Sequence, residues 1–204
     1  MAKKHIKEKH KNCPFQIIID TNEQAPWRFT GMSTVKGVPL IVDCVDQWIE
    51  TGDYSIVGLE DRITIERKSV SDLFGTVGGG RERFCRELDR MRTFEYSAVI
   101  VEGGWADIAV GNYENKSELE FLASVINDEF YEDDGSNGIS PKSVANSVLS
   151  LGMDYPAQWI LASSRRHAEV MCFWLLNRFW RKYGDTADGL GNTATGAELP
   201  TGRT

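Results

Sequence analysis

Asp53, Glu66 and Lys68 are the residues of this 204-residue sequence whose types and spacing point most directly to chemistry. Glu66 and Lys68 stand two apart in Ile63-Thr64-Ile65-Glu66-Arg67-Lys68, where apolar residues recur at a period of two. As a strand, that segment carries both on one face. Thr51-Gly52-Asp53-Tyr54-Ser55-Ile56 alternates in the same way. Between the two segments, Gly58 and the charged run Glu60-Asp61-Arg62 suit a hairpin turn. A hairpin of that length sets Asp53 beside Glu66. Two carboxylates so placed repel each other unless a hard divalent cation lies between them, and oxygen ligands suit Mg²⁺ or Mn²⁺. A lysine on the same face orients a water or stabilises charge developing on a phosphate. These are the parts of phosphodiester hydrolysis. The plain alternative is a surface hairpin in which Glu66 pairs with Lys68 along one strand face.

The surrounding pattern is wider than three residues. Gly52-Asp53 followed by Glu66-Arg67-Lys68 and Asp72 resembles the GD…ERKxxxD signature of the XPF-type (ERCC4-domain) endonucleases, a branch of the PD-(D/E)XK nuclease superfamily. Ile17-Ile18-Ile19-Asp20 with Glu23 looks like that family's first strand. Gly80-Arg81-Glu82-Arg83-Phe84 looks like its Gly/Arg helix start, and Val99-Ile100-Val101-Glu102-Gly103 like its later strand. The resemblance implies a restriction-endonuclease-like fold and a Mg²⁺-dependent endodeoxyribonuclease, with Mn²⁺ able to substitute. Asp53 and Glu66 would hold the ion with Asp20 as a further ligand, and Lys68 would position the attacking water. Asp20 and Asp72 would assist, and Arg67 and Arg83 would grip the scissile phosphate. Glu23 is grouped with the DNA-binding residues Arg67, Arg83, Arg86 and Arg90. The family's preference is for branched DNA such as flaps, forks and junctions. Asn22 stands where the family usually has arginine, which removes one phosphate contact.

The elements that must position these residues read as an α/β domain, a central mixed β-sheet flanked by helices on both faces. Gln16 to Asp20 is a buried strand by its isoleucine run, and Asp20 at its end is either a metal ligand or a plain strand terminator. Trp27 and Phe29 pin a loop spanning Ala25 to Lys36, and Val38 to Trp48 reads as one strand leading into Gly52-Asp53. Ser69 opens a short helix in which Asp72 either touches the metal or caps the helix. From Arg81 to Phe94, Phe84, Leu88 and Met91 mark a buried helix face, beside a stripe of Arg83, Arg86 and Arg90. That stripe is a phosphate-tracking surface or a solvated face laced by Glu82/Arg86 and Glu87/Arg90 pairs. Tyr96 to Glu102 is a buried strand and Trp105 to Val110 a short helix. Ser140-Pro141 opens another helix, Ala157 to Leu161 is the last strand, and Ser164 to Tyr183 a long helix. The apolar surface of that helix is wider than one face needs, and the resembling family pairs through this region, so a homodimer or heterodimer is expected.

Composition sets the outer bounds. The net charge is −7, but residues 1–12 are a basic head with five lysines against Glu8. An acidic, amphipathic helical insertion is expected over about 112–138, and the glycine-rich stretch 184–204 is expected to be disordered. The nuclease domain is then 13–183. The head lies along a phosphate backbone or merely solubilises the terminus; a local basic patch matters more for DNA than the total charge. Four scattered cysteines without a C-x-x-C argue against zinc and for a reducing compartment. Lacking a membrane-length apolar run or a secretory signal pattern, the sequence reads as cytoplasmic, or nuclear in a eukaryote. The reading is a metal-dependent DNA endonuclease serving repair, recombination or phage genome processing. Its rivals are a catalytically silent DNA-binding or scaffold domain, and a partner-binding protein or DNA mimic acting through the acidic insertion.

Overall fold

The structure, a computed structural model, describes residues 10–110 and 139–184. The acidic insertion, the basic head up to residue 9 and the tail from residue 185 lie outside the described residues.

Six strands form the central sheet in the order β4 (Cys44–Asp46), β2 (Ile17–Ile19), β5 (Tyr54–Ile56), β6 (Ile63–Lys68), β7 (Tyr96–Val101) and β8 (Gln158–Leu161). β5 runs antiparallel to both β2 and β6, while β6, β7 and β8 are parallel to one another and β2 is parallel to β4. The parallel run β6–β7–β8 needs helical crossovers. These are α1 (Val70–Gly78) with α2 (Arg81–Met91), then α3 (Trp105–Val110) and α4 (Pro141–Asp154); α5 (Arg165–Tyr183) follows β8. The stretch Val38 to Trp48 is not one strand. Leu40–Ile41 (β3) pairs with Lys11–Asn12 (β1) in a separate two-stranded sheet, and the chain then steps across at Val42 and Asp43 so that β4 joins the main sheet. The end of the basic head is thereby structured, since Lys11 and Asn12 form β1.

The strands divide their side chains strictly by parity. Ile63 and Ile65 of β6 point to the α5 face with Ile17, Ile19, Tyr54, Ile56, Ala98 and Ile100, meeting Cys172, Phe173, Leu176 and Phe179 of α5. The opposite face is closed by α1, α2 and α4. Phe84, Leu88 and Met91 pack there on Val99 and Leu151, and Leu73 packs on Val101, Val144 and Val148. Trp27 and Phe29 do pin their loop, Trp27 stacking on Tyr54 at 4.8 Å between ring centroids and Phe29 meeting the same ring edge-on at 5.7 Å. The broad apolar surface of α5 is largely consumed within the chain. Of its large apolar residues only Trp174, at 56%, is exposed. No helix among the described residues is long and apolar enough to cross a membrane, and all four cysteines are free thiols.

Candidate active site

Gly52 is what lets Asp53 approach β6. Its φ of +75° lies in the left-handed region that glycine alone enters readily. A Cβ there would stand 2.1 Å from Thr64 Oγ1 and 3.1 Å from the Ile65 carbonyl oxygen. Through that gap the Thr64 hydroxyl donates to the Thr51 carbonyl at 2.7 Å, and the Asp53 N–H donates to the Ile65 carbonyl at 2.8 Å. Tyr54 is paired with Ile65, so one step further along the ladder Asp53 lies across from Glu66. The expected juxtaposition of the two carboxylates is therefore realised in the register of β5 and β6. The Arg67 N–H then orients Asp53, donating to its Oδ2 at 2.6 Å. Glu66 is only 5% exposed. Lys68, two residues along the same face, donates from Nζ to Glu66 Oε1 at 2.8 Å, and its ammonium sits 4.4 Å from the centroid of the Phe84 ring on α2.

Burial and mutual repulsion control the protonation of this group. Burial pushes the Asp53 carboxyl up to about 7, with Glu23 and Glu87 adding to the shift and the Arg67 N–H and Lys68 opposing it. Burial, followed by the charge of Asp53, raises Glu66 well above the usual carboxylate range. Burial alone would lower Lys68, but Glu66, Glu87 and Asp53 more than offset it and hold the ammonium above its ordinary value. One lysine faces more negative charge than it neutralises. That is the environment a divalent cation relieves.

Of the other expected site residues, Asp20 adjoins the pair through its backbone, its N–H donating to the Asp53 carbonyl at 2.8 Å; the rest lie elsewhere. Arg67 sits between Glu66 and Lys68 in β6 and so points through the opposite face of the sheet. There its Nε and Nη2 grip the two oxygens of Glu102 at 2.8 and 2.7 Å, and its Nη1 donates to Glu23 at 3.3 Å. Arg165 and the Trp27 indole donate to the same Glu102, each at 2.7 Å. With its side chain 9% exposed and both edges engaged, Arg67 is a buried cation held by two carboxylates. Glu23 belongs to this network and also accepts from the Ala25 N–H at 2.6 Å. Asp20 accepts from the Asn22 N–H at 3.2 Å and, through its other oxygen, from the Ile49 N–H at 3.1 Å. It ties two loops together, which accounts for its burial. Asp72 is the partner of Ser69 in a capping box at the start of α1: Ser69 Oγ accepts from the Asp72 N–H at 3.0 Å, and Asp72 accepts from the Ser69 N–H at 3.3 Å.

On α2, Arg83 and Arg86 are exposed, while Arg90 donates from Nε to Thr51 Oγ1 at 3.1 Å and from Nη1 to the Arg86 carbonyl at 3.4 Å. Glu87, expected only as a surface partner of Arg90, is half-buried instead, and its charge helps to raise both carboxyls of the pair. Its place on a helix gave no local sign of this, because only the packing of α2 over β6 brings it there.

Among the described residues no three His, Cys, Asp or Glu side chains converge as a ligand set. The two carboxylates brought together here are Asp53 and Glu66. A pair of carboxylates without thiol or imidazole fits Mg²⁺, which takes one or two protein carboxylates and completes its octahedron with water and substrate oxygens.

The ERCC4 domain family matches residues 19–171 of the chain, a span that holds Asp53, Glu66, Lys68 and all of α2. No curated protein sequence matches the chain. Among solved structures, XPF from Aeropyrum pernix is similar with a TM-score of 0.51 and 17% identity, over 84% of this chain and 68% of that one. The structure of XPF from Aeropyrum pernix in complex with DNA has a TM-score of 0.48 and 16% identity, over 82% and 66% of the two chains. At such identity the likeness to the first of these is one of fold.

Proposed function

We propose that this chain, which belongs to the ERCC4 domain family, is an endonuclease that hydrolyses phosphodiester bonds of DNA with the help of a divalent cation held by Asp53 and Glu66. The observation that carries this reading is the pairing of two raised carboxyls across β5 and β6 with the Lys68 ammonium hydrogen-bonded to one of them. Mg²⁺, or Mn²⁺ in its place, supplies Lewis-acid stabilisation of the negative charge that develops on the phosphate. The chain does the rest. The Arg67 N–H fixes one oxygen of Asp53, and the strand ladder fixes its backbone, so the carboxylate is held in place before substrate arrives. Glu66 and the Phe84 ring hold the Lys68 ammonium, leaving its remaining protons to orient the attacking water or to meet the phosphate charge. Arg83 and Arg86, exposed on α2, would receive flanking phosphates.

Branched DNA is the proposed substrate by likeness to the family. Pairing of two copies, or with a related chain, would use the exposed Trp174 side of α5, and sedimentation equilibrium reporting only monomer at micromolar concentration would remove that part.

The test is cleavage of labelled flap and linear duplex DNA with Mg²⁺, Mn²⁺ or chelator. The native chain cuts, chelator stops it, and Asp53→Asn, Glu66→Gln or Lys68→Met each lower the rate by roughly a hundredfold or more. Cutting that survives Asp53→Asn places the activity elsewhere and ends the reading.

A further inference from the structure

The helix α2 touches the site at two points. Phe84 lies against the Lys68 ammonium at 4.4 Å, and Arg90 donates to Thr51 at 3.1 Å, beside Gly52 and Asp53. Glu87 stands three residues from each. At 3.6 residues per turn its side chain leaves the helix in a direction midway between theirs, and it sits about 4.5 Å along the axis from both. It therefore faces the strip of sheet between Lys68 and Thr51, where Asp53 and Glu66 meet. Phe84 and Arg90 have partners there; Glu87 is half-buried and has no hydrogen bond or ion pair among the described residues. Its charge is felt at Asp53, Glu66 and Lys68 alike. Yet it does not join the two inner carboxylates as a three-ligand cluster.

A half-buried carboxylate that faces two others destabilises the folded chain unless positive charge comes to the site. We propose that Glu87 is the outer carboxylate of a divalent-cation site whose inner ligands are Asp53 and Glu66: it accepts hydrogen bonds from the waters that complete the ion's shell and holds the ion by charge without touching it. This rests on the reading of Asp53 and Glu66 as the metal-holding pair. Two direct carboxylates and one outer carboxylate suit an ion that keeps several of its waters, as Mg²⁺ does. Glu87 is thus a positioning residue, acting through the ion's water shell.

The test is calorimetric titration of the full chain with MgCl₂ in the absence of DNA. The native protein is compared with Glu87→Gln, Glu87→Ala, Glu87→Asp and Asp53→Asn, and a metal-free thermal melt checks each fold. Having no partner to lose, Glu87→Gln melts at or above the native temperature. The expected result is a roughly ten- to hundredfold loss of Mg²⁺ affinity in Glu87→Gln and Glu87→Ala, with most of it kept in Glu87→Asp. Folded Gln and Ala variants that bind Mg²⁺ like the native chain overturn the role of Glu87. Undiminished affinity in Asp53→Asn, or a native chain that takes up no ion, overturns the underlying pair and Glu87 with it.

Discussion

Asp53 and Glu66 share a small buried volume, and each raises the cost of ionising the other. This has a measurable sign in the metal-free protein. Asp53 ionises near its ordinary 3.8 when unfolded but at about 7 when folded. The folded state therefore binds more protons between those values, and stability falls as pH rises through that window, by up to ~1.4 kcal/mol per pH unit for one such group. Glu66, also raised, acts in the same direction. Urea unfolding in chelator across this range is expected to show the decline, and Asp53→Asn is expected to flatten it. A native profile that rises with pH would contradict the burial of the pair. Arg67 is decided by a different measurement. Its grip on Glu102 and Glu23 is buried, so Arg67→Ala removes the cation that Glu23 faces, leaves Glu102 to Arg165 and Trp27, and costs about 3–5 kcal/mol of stability. An Arg67→Ala chain that melts like the native one but binds DNA poorly would restore the phosphate-gripping role.

The hairpin β5–β6 and the helices that follow it set these residues by simple devices. Gly52→Ala drives a methyl into Thr64 and the β6 backbone at a left-handed φ, so a loss of roughly 1–3 kcal/mol and a displaced Asp53 are expected. Thermal melting together with Mg²⁺ titration reads both. The capping box at α1 assigns Asp72: removing its carboxylate with Asp72→Ala lowers stability by about 1 kcal/mol and leaves the Mg²⁺-induced stabilisation intact. Loss of that stabilisation would return Asp72 to the metal site. For α2, the exposed Arg83 and Arg86 each contribute one phosphate contact in the proposed complex. Arg83→Ala and Arg86→Ala should each reduce the slope of log affinity against log salt by about 0.9. Unchanged slopes would make that face an ordinary solvated one.

Across the whole molecule, a chain of net charge −7 attracts DNA only through local positive surface, and the first twelve residues hold five lysines. Deleting residues 1–10, which stops short of the Lys11–Asn12 strand, is expected to weaken binding at low salt and to reduce the salt slope by as much as ~4 units. An unaffected slope would show that the head stays off the DNA. The sheet itself resists such changes, because β5 and β6 at its centre are buried from both sides.

The isoleucine run at Ile17, the period-two runs at Tyr54 and Ile63, the glycine-bearing turn at Gly58 and the helical spacing of Phe84, Leu88 and Met91 determined the α/β class and the shared face of Glu66 and Lys68. These are local properties, since side-chain direction in a strand or helix follows from backbone period alone. The same parity sends Arg67 to the other face, where Glu102 and Glu23 hold it. What only the tertiary structure decided was which acids meet. Asp20 went to two loop amides, Glu23 to Arg67 and Asp72 to a helix cap, while Glu87 came to the carboxylate pair. A carboxylate accepts any nearby donor, and the donors within reach are brought by segments far apart in the chain, so packing alone chose among them.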